Sequence, residues 1–298
     1  MLLNFDNFIA LHSMLSLNVK DLSVAQIHQY LLGAVAPRPI CFASTIDKNG
    51  NSNLAPFSFF NVFSANPPIA IFSPARSGRT GATKDTFENV KEVAECVINI
   101  VNYNMVQQVS LASSPYPKGT SEFVKAGFTP IASSLVKPFR VKESPVQLEC
   151  KVNQIIELGQ QGGAGNLVIC EIVMIHVSED VLDANNLIDQ KKIDLVARMG
   201  GNWYCRANGD ALFEIEKPLT TIGIGVDNLP DKIKNSNILT GNNLGALANV
   251  EVLPTKEEIE TFKSSNKQSF KNTEELHNFA KKLLEAGKVK EAWMVLLS

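Results

Sequence analysis

The block Asn53-Leu54-Ala55-Pro56-Phe57-Ser58-Phe59-Phe60-Asn61-Val62 puts a proline, three aromatics and small polar residues into one short stretch. Pro56 has no N–H to give to a ladder, so a strand here needs an edge or a bulge at that point. Free main-chain groups beside flat apolar surface suit a flavin, whose isoalloxazine is an apolar slab with a polar pyrimidine edge. The same pattern also fits an ordinary edge strand with core aromatics. A second group of residues, Arg76-Ser77-Gly78-Arg79-Thr80-Gly81-Ala82-Thr83-Lys84-Asp85-Thr86, precedes a helical pattern. Helix N-termini offer unpaired N–H groups and a positive dipole end to anions. Arg79 and Lys84 add charge, and Thr83 and Thr86 add hydroxyls, a set sized for one phosphate. Asp85 opposes an anion and is assigned to capping or to orienting an arginine. A solvated loop before a capped helix explains the same residues. Finally, Ala36-Pro37-Arg38-Pro39 fixes Arg38 between two prolines. A rigid arginine serves phosphate or carboxylate binding, and equally a strand-entry turn.

These residues need elements to hold them. An imperfect helical stripe covers residues 23–32. Residues 39–46 read as a strand that closes on the turn Asp47-Lys48-Asn49-Gly50, with residues 53–64 as its hairpin partner. Residues 69–73 and 96–101 read as short strands, and residues 83–93 and 104–112 as helices. Residues 113–145 are loop-rich. Residues 147–158 and 166–177 read as two long strands joined by a flexible loop, Gln160-Gln161-Gly162-Gly163-Ala164-Gly165. Residues 195–204 form a last short strand around Gly200-Gly201. Beyond Pro218 the pattern turns helical, over 228–236, 255–265, 272–286 and 288–297. Leu276, Phe279, Ala280, Leu283 and Leu284 make an amphipathic stripe there. The expected organisation is a mainly β domain over residues 1–217 and a helical extension over 218–298, packed on the barrel or on a partner subunit.

Regular βαβ alternation is missing, which argues against a Rossmann sheet and for an antiparallel barrel. No G-x-G-x-x-G opens a helix and no G-x-x-x-x-G-K-[ST] occurs, so a nucleotide must be held in another way. The 298 residues suffice for a real core. Lys+Arg 28 against Asp+Glu 30 gives a net charge of -2, with no general attraction to nucleic acid or to an anionic membrane. Five widely spaced cysteines without a C-x-x-C speak against a disulfide framework or a zinc site and for a reducing compartment such as the cytoplasm. No run of about 18 apolar residues predicts a membrane span. The N-terminus lacks a basic region and carries Asp6, which does not suit a signal peptide. Residues 1–13 read as weakly tied to the rest, with Met14 as an alternative start.

The order of several segments resembles the flavin-reductase-like, FMN-binding split-barrel family, in particular the branch of flavoredoxins and of the small components of two-part flavin monooxygenases. The segments are LLGAVAPRPICFAST (31–45), the D-x-x-G turn 47–50, NLAPFSFFNVFSANPP (53–68), R-x-x-x-x-KDTFEN (79–89), VINIV (97–101), ARMGGNWYCR (197–206) and residues 225–250. The resemblance spans roughly residues 15–250. It implies an FMN-binding split β-barrel and a homodimer with noncovalent FMN at the subunit interface. By position it implies Ser44 and Thr45 near the phosphate or ribityl chain. Asn53, Leu54, Ala55, Pro56, Phe57 and Ser58 would pass the isoalloxazine edge. Arg79, Lys84 and Thr86, with Arg38 as a further candidate, would serve the phosphate. Met199, Gly200, Gly201 and Tyr204 would approach the flavin from late in the barrel.

One departure bears on activity. Many flavin reductases of this superfamily carry Asp-His before the strand equivalent to 167–177, where the His meets the nicotinamide. Here the positions read Gly165-Asn166, and His176 is no obvious substitute. The expected activity is hydride transfer from NAD(P)H to flavin, with electrons passed on to free flavin, an acceptor protein or a small molecule. That chemistry belongs to the cofactor and needs no side-chain acid or base, so no catalytic side chain is assigned. The alternatives are a non-catalytic, flavoredoxin-type electron carrier and a binding module that has lost the cofactor; a hydrolase has little support. Met105, Met174, Trp203 and Trp293 are expected to serve packing.

Overall fold

The computed structural model describes residues 14–298 except Glu216 and Lys267; the expectation for residues 1–13 lies outside the described residues. The chain divides into two compact units at Phe213/Glu214. In the first unit, helix α1 (Val24–Ala34) precedes β1 (Cys41–Ile46), β2 (Ser52–Phe57), β3 (Phe60–Ala65) and β4 (Pro68–Phe72). Then come α2 (Asp85–Glu92), β5 (Glu95–Ile100), α3 (Val106–Ala112) and α4 (Glu122–Ala126). The short pair β6 (Pro130–Ile131) and β7 (Arg140–Val141) leads to the long strands β8 (Val146–Glu157) and β9 (Asn166–Val177). A small hairpin, β10 (Val196–Arg198) and β11 (Tyr204–Arg206), follows.

Seven strands form one sheet in the order β2-β1-β5-β8-β9-β4-β3, antiparallel throughout. Its two edge strands, β2 and β3, are joined by Ser58 and Phe59 alone. Consecutive Cα atoms are about 3.8 Å apart, so the two edges must meet there, and the sheet has to roll into a barrel with a split rather than lie open. Residues 53–64 are therefore not one hairpin partner: the first half pairs with β1 and the second with β4. The bends between Glu149/Cys150 and Val152/Gln154 in β8 supply local coiling.

Strand alternation sorts the core in two. Cys41 and Ala43 face a cluster with Phe72, Val90, Cys96, Ile98, Cys150, Val168 and Cys170. Ile40, Phe42 and Leu54 face another, closed by Met105 and Val109 around α3 and by Phe123 and Ala126 of α4. All five thiols are free, and all but Cys205 are buried.

The second unit is helical: α5 (Asp231–Lys234), α6 (Gly241–Ala248), α7 (Lys256–Ser265), α8 (Thr273–Glu285) and α9 (Val289–Leu296). Trp293 is its fully buried centre and donates its indole N–H to the Leu247 carbonyl at 3.0 Å. Helix α6 escaped the periodicity reading because Gly241 and Gly245 dilute its stripe. Its start was nonetheless signalled by a capping box, with Thr240 and Asn243 bonding each other's backbone N–H. Among the described residues no helix is long and apolar enough to cross a membrane.

Candidate functional site

Thr45, Asn53, Thr86 and Asn89 form one polar network at the start of α2. The Asn53 amide donates to Thr86 Oγ1 at 2.8 Å and to Thr45 Oγ1 at 3.3 Å. The Asn89 amide donates to Thr45 Oγ1 at 3.1 Å. Thr86 is buried, so its hydroxyl orders Asn53 from within instead of facing the loop before it. Neighbours along a strand point to opposite faces. Ser44 accordingly lies on the side of Phe42, away from Thr45, and its buried hydroxyl has no hydrogen-bond partner. Ser44 and Thr45 cannot serve one ligand group from a common face.

Strand β2 exposes one side of its main chain. Leu54 sends its N–H away from β1 to Glu122 Oε2 at 3.0 Å, while its side chain is buried. With period two, Pro56 occupies the next outward position. The missing N–H is thus one that would not have entered the ladder; Pro56 marks an edge and needs no bulge. In an antiparallel strand the N–H and C=O of one residue point the same way, so the edge presents the carbonyls of Leu54 and Pro56.

The loop before α2 is shaped by the chain itself. Ser77 and Gly81 close it with main-chain bonds of 2.8 Å each, Gly81 being at φ 71. Arg76 ties it to Glu157 at 2.9 Å. The 160–165 connection, expected to be a flexible loop, is seated against it. Arg76 N–H meets the Ala164 carbonyl at 2.9 Å, and a Cβ on Gly162 would come within 2.9 Å of the Ser77 oxygen. Thr83 donates to Glu88 at 2.6 Å, so its hydroxyl is committed. Arg79 and Lys84 are exposed, and among the described residues neither enters an ion pair. Lys84 is the N-cap of α2 and makes no side-chain cap bond, leaving the helix start open.

Arg38 has a different task from the expected anion binding. It is buried, and its guanidinium donates to the Leu32 and Val35 carbonyls at 2.7 Å each and to Met199 O at 2.9 Å. Its Nε lies 3.5 Å from Ser58 Oγ. Burial, with Arg198 adding to it, pulls its pKa below the usual arginine value. Arg38 therefore clamps the end of α1, the end of β2 and the β10–β11 turn together. At that turn, Met199, Gly200, Gly201, Trp203, Tyr204 and Cys205 line an open cavity of about 580 Å³. Gly200 is needed for the close approach, because a Cβ there would sit 3.2 Å from the Gly33 Cα. Arg198 stacks over the Tyr204 ring at 4.5 Å. Trp203, expected to serve packing, is 76% exposed beside this cavity.

Asn166 is fully buried; its amide holds the Pro74 carbonyl at 2.8 Å and its N–H the Ser73 hydroxyl at 3.0 Å. It anchors the start of β9 and reaches no open surface. His176 bonds Glu149 Oε1 at 2.7 Å. Glu149 is fully buried, and also accepts from the Ser134 and Leu135 N–H groups at 2.7 and 2.6 Å. Burial acts to raise its pKa, but these three bonds outweigh it and leave the carboxyl below its ordinary value. Sequence reasoning missed both Glu122 and Glu149. A single acid among alternating apolar residues in Val146-Gln147-Leu148-Glu149-Cys150 is the available signal for the second.

These parts form a track. Bonds link them in order: Lys84 stands two residues before Thr86, Thr86 holds Asn53, Asn53 leads into the β2 edge, and Arg38 ties Ser58 at its end to Met199 of the cavity wall. Five residue steps from Asn53 to Ser58 span about 17 Å. An anion-seeking end, a polar side chain at Asn53, two outward carbonyl acceptors and an open apolar cavity suit a ligand with a phosphate at one end and a flat ring carrying donor groups at the other.

The comparisons with known proteins agree with the fold. The flavin reductase like domain family matches residues 33–194, more than half of the chain. An uncharacterized protein of Aquifex aeolicus is 35% identical over 198 residues, 66% of this chain and 98% of that protein. Nitrilotriacetate monooxygenase component B from Bacillus cereus superposes with a TM-score of 0.63 at 31% identity, over 68% of this chain and 99% of that one. A Shewanella frigidimarina protein with a split barrel domain, assigned as a flavin reductase, gives a TM-score of 0.57 at 28% identity over 66% and 95% of the two chains. This chain belongs to the flavin-reductase-like family, and its first unit is a flavin-binding-type split barrel.

Proposed function

We propose that the protein binds FMN along the β2 edge and acts as an NAD(P)H:flavin oxidoreductase. The observation that carries this reading is the pairing of uncommitted cations at Arg79 and Lys84 with an outward-facing carbonyl edge one strand-length from an open cavity. Lys84, at the uncapped start of α2, and Arg79, in the loop before it, would hold the phosphate. Asn53, fixed by Thr86 and Thr45, would meet the chain that links phosphate to ring. The carbonyls of Leu54 and Pro56 would accept from the pyrimidine edge, with Ala55, Phe57 and Ser58 completing the strand that carries it. Gly200 and Tyr204 would bound the ring from the β10–β11 turn. FMN, when bound, supplies the hydride-accepting centre. The chain's own work is to orient the two rings and to exclude water between them.

A homodimer suits this site. Helix α1 buries none of its residues and exposes Val24 and Leu31, Val35 just past its end is exposed as well, and β3 exposes Val62 and Phe63. A second copy of the chain would cover these faces and close the open side of the track. Five unpaired thiols suit a reducing compartment such as the cytoplasm.

A second reading, a flavin-bound electron carrier reduced by a partner protein, is favoured by Asn166. Its amide nitrogen is bonded to Pro74, and the whole side chain, including an Oδ1 without a partner, is buried away from any surface a nicotinamide could reach. Anaerobic mixing of the FMN-loaded protein with NADH or NADPH separates the two. Bleaching of the flavin band within a turnover time supports the reductase; a band that persists with both donors overturns it in favour of the carrier.

A further inference from the structure

Glu122 occupies a position that no flavin-binding expectation assigned. It opens α4, and the next residues of that helix, Phe123 and Ala126, are buried in the same cluster as the Leu54 side chain. Its Oε2 takes the Leu54 N–H at 3.0 Å. Because Pro56 has no N–H, Leu54 is the residue between Asn53 and Phe57 whose main chain offers an outward donor, and Glu122 removes it. The edge is left with acceptors: two carbonyls and a carboxylate. It therefore selects ligand groups that donate, such as an imide N–H or a row of hydroxyls, and repels those that accept. The carboxylate is half-buried, so its charge is weakly screened. Burial pushes the Glu122 carboxyl above its ordinary pKa, the Leu54 N–H opposes that push, and Asp85, at the first turn of α2, adds a smaller one in the same direction as burial.

We propose that Glu122 is a positioning residue for the flavin that also lowers the reduction potential of the bound ring; this rests on the FMN reading given above. Two effects follow from one side chain. The hydrogen bond holds the β2 edge in place. The negative charge disfavours the added electron pair of reduced flavin relative to the oxidised form.

The two effects come apart in two variants. Glu122→Gln keeps an oxygen for the Leu54 N–H and removes the charge. Glu122→Ala removes both. The wild type and both variants are loaded with FMN, their folding is checked by circular dichroism, and each is titrated for FMN affinity and for midpoint potential by anaerobic dye equilibration. The expected result is a Glu122→Gln protein with FMN affinity within threefold of the wild type and a midpoint raised by about 30 mV, the equivalent of a tenfold preference in a two-electron couple. Glu122→Ala is expected to lose affinity about tenfold. An unmoved midpoint in Glu122→Gln overturns the proposal whatever Glu122→Ala does, and full affinity in Glu122→Ala overturns it as well. A wild type that takes up no FMN overturns the FMN reading itself, which tells the two failures apart.

Discussion

The Asn53 amide lies 2.8 Å from Thr86 Oγ1, joining the first residues of an edge strand to the first turn of the helix that follows the cationic loop. Through this bond the two halves of the track keep a fixed spacing. Thr86→Val keeps the shape and removes the acceptor, leaving the Asn53 amide with only the longer Thr45 bond. A lost hydrogen bond of this kind costs about 1 kcal/mol. FMN affinity is expected to fall about fivefold, measured by flavin fluorescence titration, with thermal stability lowered by a few degrees.

Arg79→Ala and Lys84→Ala test the anion end. Charge-assisted bonds contribute about 1.5–3 kcal/mol each, so each variant is expected to bind FMN at least tenfold more weakly. Riboflavin, which lacks the phosphate, is expected to bind the variants and the wild type alike. Equal losses for riboflavin and FMN would place the cations elsewhere on the ligand.

Arg38 is predicted to matter for stability first. Its guanidinium satisfies three main-chain carbonyls, two at the end of α1 and one at the β10–β11 turn. Arg38→Met removes the donor from three part-buried carbonyls and empties a buried site, at about 1 kcal/mol for each lost hydrogen bond. The expected outcome is a loss of several kcal/mol in urea denaturation, with Arg38→Lys recovering only part because a single ammonium cannot span the fork.

Glu149 sets a pH dependence. Its folded pKa lies below the ordinary value of about 4.5. A carboxyl depressed by folding contributes stability above its unfolded pKa, and that stability is lost as pH falls through the folded pKa. Denaturation midpoints are expected to hold between pH 7 and 5 on account of this residue and to drop below about 4.5. In Glu149→Gln the acid-dependent part should shrink, and stability at pH 7 should fall by about 3 kcal/mol, since Ser134, Leu135 and His176 lose a charged acceptor.

Much of the barrel was legible because its signals are local. The Asp47–Gly50 turn and the long strands flanking residues 160–165 carry their own turn chemistry and β-branched runs. The split between β2 and β3 was not legible. Whether residues 53–64 stay beside one partner or cross from one edge of a sheet to the other depends on closure, which no window of sequence contains. The site was readable to the same degree. Arg79 and Lys84 stand out by charge in the sequence and are exposed in the structure, which suits the proposed phosphate end, whereas Arg38 and Thr86 look like ligand groups in the sequence and serve the frame. Burial decides between those roles, and it follows from the tertiary packing of α1 and α2. Glu122 was hidden for a related reason: its partner is a main-chain N–H far away in sequence, at an outward position that only the β1–β2 register defines.

The most direct test of the whole account is simple. The purified protein is incubated with excess FMN, freed of unbound flavin by gel filtration, and its visible spectrum recorded beside that of the Arg79→Ala, Lys84→Ala double variant. One FMN retained per wild-type chain, with most of it lost from the double variant, is the predicted result. A colourless wild-type fraction, or a double variant as yellow as the wild type, would contradict a flavin held along β2 by that loop.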